Sequence, residues 1–238
     1  MNMTRVLIHV EGETEETFVN EVLSRHLYSV GYERVSARLV GNARQRDRRG
    51  GIRSWTAVRS DIVRHLLQDH ACLATTMVDY YGLPQTGDRA WPGRATASAA
   101  NFAQKATIVE QALTADVIQN LPEGFDSKRF IPYVMMHEFE GMLFSDCAQF
   151  ALSIGEPKIS AKLSAIRNGF GSPEEINDSP HTAPSKRIEA LIPGYQKPLH
   201  GNIAAIDIGL ESIRAQCPHF SNWLSRLEAW IANAAVHR

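Results

Sequence analysis

The sequence contains few cysteines, and their spacing carries no motif. Cys72, Cys147 and Cys217 are far apart and form no CxxC pair in the 238-residue chain. A structural zinc site needs clustered ligands and a disulfide framework needs an even set of cysteines, so neither is expected. Separate thiols of this kind are typical of a protein that is kept reduced in the cytoplasm.

Long apolar runs and an excess of charge are also missing. No segment reaches the ~20 apolar residues that span a bilayer, and the apolar run after Arg5 is too short for a signal peptide. We therefore expect a cytoplasmic protein that does not contact a membrane. The formal net charge of −1 provides no global basic field to hold nucleic acid, so such binding would depend on local patches.

Three common catalytic signatures are absent from the sequence. No GxSxG, Walker A or GxGxxG pattern occurs. The sequence therefore lacks the usual evidence for a serine hydrolase, a P-loop NTPase or a Rossmann dehydrogenase.

The pattern of apolar residues predicts strands that alternate with helices. Thr14 is the expected N-cap of the first helix, which Gly31 closes. Strands are predicted at 5–10, 35–40, 73–78 and 130–136, with further helices at 55–67 and 99–121. This order predicts an α/β fold with a mostly parallel sheet flanked by helices over residues 1–146. Residues 147–238 are predicted to form a helical C-terminal extension that packs on this core.

Acidic residues stand where three of these strands end. Glu11 follows the first strand, Asp79 ends the third, and Glu138 follows the fourth. Ligand sites of parallel sheets lie outside the carboxyl ends of the strands, and neighbouring strands are only ~5 Å apart. We therefore expect these carboxylates to meet at one edge of the sheet.

Crowded carboxylates repel one another unless a cation neutralises them. Mg²⁺, or Mn²⁺ in its place, takes one or two carboxylates together with water and phosphate oxygens. Glu11 and Asp79 are predicted to hold such an ion, and Glu15, Glu138 or Glu140 a second one. Two metals would stabilise the attacking and leaving oxygens of phosphodiester cleavage. The alternative is that these acids cap helices or are solvated at the surface.

The segment Val10-Glu11-Gly12-Glu13-Thr14-Glu15 resembles the opening motif of Toprim domains, the catalytic module of topoisomerases, primases and OLD-type nucleases. The resemblance implies a Toprim-like sheet, with Glu11 as general acid/base. Met77-Val78-Asp79-Tyr80-Tyr81 stands where the family has an Asp-x-Asp motif, which implies that Asp79 binds Mg²⁺. Tyr81 replaces the second aspartate, and Glu138 or Glu140 would have to compensate.

More distal motifs extend the resemblance over nearly the whole chain. They resemble a bacterial family with a Toprim-type domain, the domain of unknown function 4276, related to OLD-type Toprim nucleases. Related Toprim proteins often act beside an ABC- or OLD-type ATPase in anti-phage defence, so the resemblance implies an ATPase partner. The motifs are Pro184-Ser185-Lys186-Arg187, Tyr195-Gln196-Lys197, His200-Gly201 and Cys217-Pro218-His219-Phe220.

Two groups of basic residues could serve phosphoryl chemistry. Lys186 follows a Pro-Ser turn at a predicted helix start, and it is the candidate catalytic cation that would neutralise the transition state. A glycine-flanked basic loop could contact a nucleic-acid backbone, with Trp55 and Trp91 offering faces for unpaired bases. The alternative for this loop is a solvated run of charge. Its arginines are Arg44, Arg46, Arg48, Arg49 and, just beyond it, Arg53.

These patterns predict a Mg²⁺-dependent phosphodiesterase, in particular a nuclease. A non-catalytic effector or regulatory subunit is a second interpretation, favoured by Tyr81 in place of an acid. A small-molecule phosphohydrolase is a third, consistent with the absence of a global basic surface.

Overall fold

The computed structural model describes residues 4–40, 52–177 and 179–236. Within these residues, five strands form one parallel sheet, as the alternating pattern predicted. The strands are β1 (Arg5–Val10), β2 (Arg34–Leu39), β3 (Cys72–Asp79), β4 (Phe130–Ile131) and β5 (Val134–Met135). Their order is β2–β1–β3–β4, and β5 follows β4 along the same side of β3. The predicted α/β class is confirmed.

The fourth predicted strand is interrupted and forms two short strands, β4 and β5. Pro132 separates them and has no N–H to give to a ladder. At Tyr133, the side chain of Thr76 replaces the backbone partner, because its Oγ1 accepts the Tyr133 N–H at 3.0 Å and donates to the Tyr133 carbonyl at 2.9 Å. The pairing with β3 resumes at Val134, which keeps the end of β5 beside the end of β3.

Helices cover both faces of the sheet. A π-helical turn (Val19–Leu23) joins the first two, and another (Lys197–Gly201) leads into the tenth. The α-helices are α1 (Glu13–Phe18), α2 (Ser24–Ser29), α3 (Trp55–Gln68), α4 (Arg94–Ser98), α5 (Phe102–Gln119), α6 (Phe139–Met142), α7 (Cys147–Ser153), α8 (Ser160–Arg167), α9 (Pro184–Leu191), α10 (Asn202–Gln216) and α11 (Pro218–Val236).

The first helix begins earlier than predicted. Gly12, and not Thr14, is the N-cap of α1, so Thr14 lies in the first turn. The Glu15 carboxylate accepts the N–H of Gly12 at 2.9 Å, which satisfies a backbone donor at the helix start. The prediction was wrong because a glutamate three residues after Gly12 caps the helix in place of a hydroxyl.

The sheet separates two apolar clusters. One contains β1 residues, α1 and the C-terminal helices, and includes Phe18, Phe220 and Trp223. The other contains α3, α5 and the opposite face of β3. Helices after residue 147 therefore pack on the sheet, while a division into two domains at residue 146 stays a prediction. None of the described helices has the length and apolar character needed to cross a membrane.

We expect Gly93→Ala to destabilise the fold more than Gly87→Ala. Both glycines have positive φ angles, 76° and 73°. A Cβ at Gly93 would lie 2.8 Å from the Ile108 carbonyl oxygen, whereas at Gly87 it would meet nothing within 4 Å. The backbone strain alone costs about 1–2 kcal/mol, and the clash in the first variant adds about 1–3 kcal/mol. Urea denaturation measures both, and equal losses would contradict the packing described for Gly93.

Candidate active site

Parallel pairing brings the ends of β1, β3 and β5 to one edge of the sheet. Val10 is paired beside Met77, and Asp79 beside Met135. Glu11 follows β1 directly, and Glu138 stands three residues after β5 as the N-cap of α6. The carboxylates of Glu11, Asp79, Glu15, Glu138 and Glu140 gather here, close enough for their charges to act on one another. We call these five residues the acidic cluster.

Protein donors engage every member of the acidic cluster, with the Asp79 backbone acting on Glu11, and four members have donors at the following distances. Three accept backbone N–H groups: Glu15 that of Gly12 at 2.9 Å, Asp79 that of Phe139 at 2.9 Å, and Glu138 that of Ser185 at 3.0 Å. Glu140 Oε2 lies 3.0 Å from Lys197 Nζ. Buried carboxylates are tolerated when they are hydrogen-bonded or paired, and each of these four meets that condition.

Glu11 differs from the other four because one of its oxygens is unsatisfied. Its Oε2 is buried and has no hydrogen-bond partner among the described residues. Gly82, in the loop after β3, leaves room for this side chain, because a Cβ there would lie 3.1 Å from Oε2 and 3.3 Å from Oε1. A buried carboxylate oxygen without a donor is unfavourable unless a proton or a cation reaches it.

A cation, Lys197, contacts the acidic cluster through Glu140. It begins the π-helical turn before α10, and its side chain is 42% exposed while that of Glu140 is 2% exposed. Burial alone would lower the pKa of Lys197, but the charges of Glu140, Asp79 and Glu138 outweigh burial and raise it. The ammonium group therefore stays charged and faces both the carboxylates and the solvent.

Burial raises the pKa of four carboxyl groups in the cluster, those of Glu11, Glu15, Asp79 and Glu140. For Asp79 burial is reinforced by the charges of Glu11 and Glu15, and for Glu15 by that of Glu11. For Glu11, burial again dominates, and a hydrogen bond from the Asp79 backbone offsets part of it. The pKa of Glu140 is raised as well, although Lys197 opposes the shift. Protons therefore compete with a divalent ion for these carboxylates.

The donor chemistry of the cluster suits a hard divalent cation, but a closed cage is not present. Among residues 4–40, 52–177 and 179–236, no three Asp, Glu, His or Cys side chains converge as metal ligands. Protein donors already engage the carboxylates of Glu15, Asp79, Glu138 and Glu140. Mg²⁺ is commonly held by one or two carboxylates, with water and substrate completing the shell. The free oxygen of Glu11 beside Asp79 fits that looser kind of site.

Lys186 lies outside the contacts of the acidic cluster. Its side chain is 49% exposed and its Nζ lies 2.7 Å from Glu189 on the same helix. The neighbouring Ser185 is the residue whose N–H reaches Glu138. The assignment of Lys186 as catalytic cation stays a prediction, and Lys197 is the residue that sequence reasoning did not select. The Tyr195-Gln196-Lys197 motif carried the signal, without showing which acid it would meet.

The basic loop and its tryptophans have different outcomes. Arg44, Arg46, Arg48 and Arg49 lie outside the described residues, so their nucleic-acid role stays a prediction. Arg53 pairs with Asp61 at 3.0 Å. The prediction that Trp55 and Trp91 stack with unpaired bases is wrong, because both rings are buried. Their ring centroids lie 4.9 Å apart. Trp55 begins α3, and both rings belong to the second apolar cluster together with residues of α5.

The three cysteines are buried, unpaired thiols. Burial raises the pKa of Cys72 to about 11, with Asp69 adding to the effect. A thiol with a raised pKa is a poor nucleophile and a poor metal ligand. Cys72 is therefore part of the packing and not of the site chemistry.

Comparison with known proteins identifies a family. Residues 10–228 match the family model described as "Domain of unknown function (DUF4276)", as the distal motifs predicted. No curated protein matches the chain.

Solved structures similar to this chain include the C-terminal region of the Xanthomonas campestris pv. campestris OLD protein. The structure phased with iodine is 15% identical with a TM-score of 0.41, and the match covers 100% of both chains. The structure phased with platinum is 16% identical with a TM-score of 0.43, covering 98% of this chain and 97% of the other. At these values, no activity or ligand is transferred to this protein.

We expect the metal-free protein to lose stability as the pH rises from about 5 to 8. Burial, together with the charge of Glu11, raises the pKa of Glu15 from 4.5 to about 7. Between pH 4.5 and about 7, the folded state therefore binds more protons than the unfolded state. The stability that Glu15 contributes is fully present below pH 4.5 and is lost as the pH rises through about 7. Glu15→Gln should flatten the profile by on the order of 2 kcal/mol.

Thermal or urea denaturation in a chelator across this pH range measures the effect. Glu13→Gln, at an exposed position on the same helix, serves as the matched control. A wild-type profile that Glu15→Gln leaves unchanged would contradict the described environment of Glu15.

Proposed function

The chain belongs to the DUF4276 family, and we propose that its acidic cluster is the active site of a divalent-cation-dependent phosphodiesterase that cleaves nucleic acid. The observation that carries the proposal is the Oε2 atom of Glu11, which is buried at the strand ends and has no partner among the described residues. Asp79 lies next to Glu11, and Lys197 contacts Glu140 in the same cluster. Such an arrangement is unfavourable for a purely structural cluster. It suits a site whose charge balance is completed by a bound cation and an anionic substrate.

Glu11 and Asp79 would hold Mg²⁺ or Mn²⁺, with Glu15, Glu138 and Glu140 as the surrounding acids. When bound, the cation would polarise a phosphoryl oxygen and lower the pKa of a water molecule. Asp79 is oriented by the N–H of Phe139, so its carboxylate is fixed before any ligand arrives. This pre-organisation reduces the cost of assembling the site.

Glu11 has the properties of a group that moves a proton. Burial raises its pKa, which increases the affinity of its carboxylate for a proton. In hydrolysis, the water oxygen forms a bond to phosphorus while one of its protons passes to the Glu11 carboxylate. The P–O bond to the leaving oxygen breaks with its electron pair on that oxygen, which takes up the proton held by Glu11 and returns Glu11 to its carboxylate form.

Lys197 would stabilise the negative charge that develops on the phosphoryl oxygens. Glu140 holds its ammonium group at 3.0 Å and the side chain is still 42% exposed, so a substrate can reach it. A preorganised cation of this kind typically contributes 10²–10³-fold to a rate. Tyr195 lies close by, with a hydroxyl that is buried and without a partner among the described residues. The charges of Glu140 and Glu138 act on this tyrosine, so it borders the same site.

The motifs that resemble those of Toprim proteins are the support for a particular substrate and partner. We propose nucleic acid as substrate, an ABC- or OLD-type ATPase as partner, and anti-phage defence in the cytoplasm as the setting. The alternative is a non-catalytic effector subunit, and the observation that favours it is the absence of a three-ligand metal group among the described residues. A small-molecule phosphohydrolase would use the same cluster on a shorter ester.

Divalent ions should bind the wild-type protein and raise its Tm, more at pH 8 than at pH 5. Protons compete with the cation for the carboxylates, whose pKa values burial raises. Differential scanning fluorimetry and calorimetric titration with Mn²⁺ measure the effect without any substrate. Asp79→Asn should abolish the shift, while Asp126→Asn, at an exposed turn, should not. Equal shifts in both variants would show that the ion binds elsewhere.

Glu11→Gln should abolish cleavage, and Lys197→Met should lower kcat by about 10²-fold or more. The assay uses plasmid, short single strands of DNA and RNA, and a chromogenic phosphodiester, each with Mn²⁺ or Mg²⁺. Lys162→Met, an exposed lysine on α8, is the control. Lys186→Met distinguishes the two lysines. If Lys186→Met is inactive while Lys197→Met is still active, the proposed role of Lys197 is wrong. Cation binding without turnover of any substrate would favour the non-catalytic interpretation.

A further inference from the structure

A cavity separate from the acidic cluster lies beside the connection between β4 and β5. Its volume is about 610 Å³, and helices α5 and α11 form its walls, with Pro132 between the two short strands at its base. It shares no lining residue with the acidic cluster. The residues that line it are Thr107, Glu110, Gln111, Thr114, Ala115, Ile118, Pro132, His219, Asn222 and Arg226.

A buried carboxylate and an imidazole meet in this cavity. Glu110 is 8% exposed, and its Oε1 lies 2.8 Å from His219 Nε2. The same oxygen accepts the N–H of Val134 at 3.0 Å. The His219 ring also packs against Tyr133, with 5.2 Å between centroids. Both side chains are therefore held in place by β5 and by the strand connection before it.

The charges around His219 favour its protonated form. Burial would lower the pKa of His219, but the hydrogen bond to Glu110 and the charges of Glu110 and Glu174 outweigh burial and raise it. Glu174 is itself engaged by the backbone N–H groups of His219 and Phe220, both at 2.9 Å, at the start of α11. The two acids near His219 are thus already satisfied by protein donors.

Arg226 is the charged group of the cavity that lacks a counter-ion. It lies two helical turns after His219 on α11 and is exposed. No carboxylate in the described part of the chain forms an ion pair with it, and its charge acts unfavourably on His219. A bound anion would relieve the repulsion between Arg226 and His219, and it could accept bidentate hydrogen bonds from the guanidinium group.

We propose that this cavity binds a small organic oxyanion, a phosphate ester or a carboxylate, anchored by Arg226 and His219. The hydroxyl and amide groups of Thr107, Gln111 and Asn222 would orient the polar part of the ligand. Ala115, Ile118 and Pro132 provide the apolar surface for its carbon skeleton. The volume lies within the range of about 300–1,000 Å³ that small-molecule sites usually have.

Calorimetric titration in a chelator, with no divalent cation present, tests this site separately from the acidic cluster. The probes are inorganic phosphate, adenosine 5′-monophosphate, succinate and uncharged adenosine. We expect saturable binding of at least one anionic probe to one site, and no binding of adenosine. Comparing phosphate with succinate shows which oxyanion is preferred, and amide NMR shifts at Gln111 and Asn222 locate the bound probe.

Arg226→Met should raise the Kd by about tenfold or more, because it removes a charge-assisted contact at an exposed position and leaves the fold intact. Arg25→Met, at an exposed position on α2, is the matched control. Lys197→Met should leave binding unchanged. His219→Gln, with folding verified by its thermal transition, should weaken binding as well.

Four results would overturn the proposal. They are the absence of binding up to about 10 mM of every probe, adenosine binding as well as its monophosphate, an unchanged Kd in Arg226→Met, or loss of binding in Lys197→Met. The last result would place the anion at the acidic cluster. None of these results changes the metal-binding test of the acidic cluster, so the two proposals can fail independently.

Discussion

Repulsion among carboxylates at the strand ends is the constraint on which the rest of the site depends. Parallel pairing brings the ends of β1, β3 and β5 together, so Glu11 and Asp79 cannot move apart without breaking the sheet. The protein offsets the repulsion with backbone N–H groups, with Lys197 and with raised pKa values. The offset is incomplete at Glu11 Oε2, and this is where a ligand would contribute most.

Each donor that stabilises the cluster comes from a different part of the chain. Phe139 belongs to α6, Ser185 to α9, and Lys197 to the turn before α10. The C-terminal helices therefore do more than cover the sheet, because they position the donors that make buried acids tolerable. Phe220 and Trp223 of α11 belong to the same apolar cluster as residues of β1, α6 and α9.

Sequence patterns were sufficient for the sheet and for the acids at its edge. Periodicity identified β1 and β3 because continuous apolar runs are typical of strands buried on both faces. The break at Pro132 and the cap at Gly12 depended on side-chain contacts of Thr76 and Glu15, which periodicity does not report. Lys197 lies far along the chain from the acids that it meets, and no local pattern encodes such a contact. The burial of Trp55 and Trp91 was missed for the same reason, because aromatic residues near a basic loop resemble a binding surface until packing places them in the core.

The most direct measurement of the central claim is a crystal structure of the protein soaked with Mn²⁺, with the ion located by its anomalous scattering. We expect a peak at the strand ends, within about 2.0–2.3 Å of carboxylate oxygens of Glu11 and Asp79. We also expect Lys197 to remain beside Glu140. A structure with no peak at the acidic cluster under saturating Mn²⁺, or with the ion bound only elsewhere on the surface, would contradict the central claim.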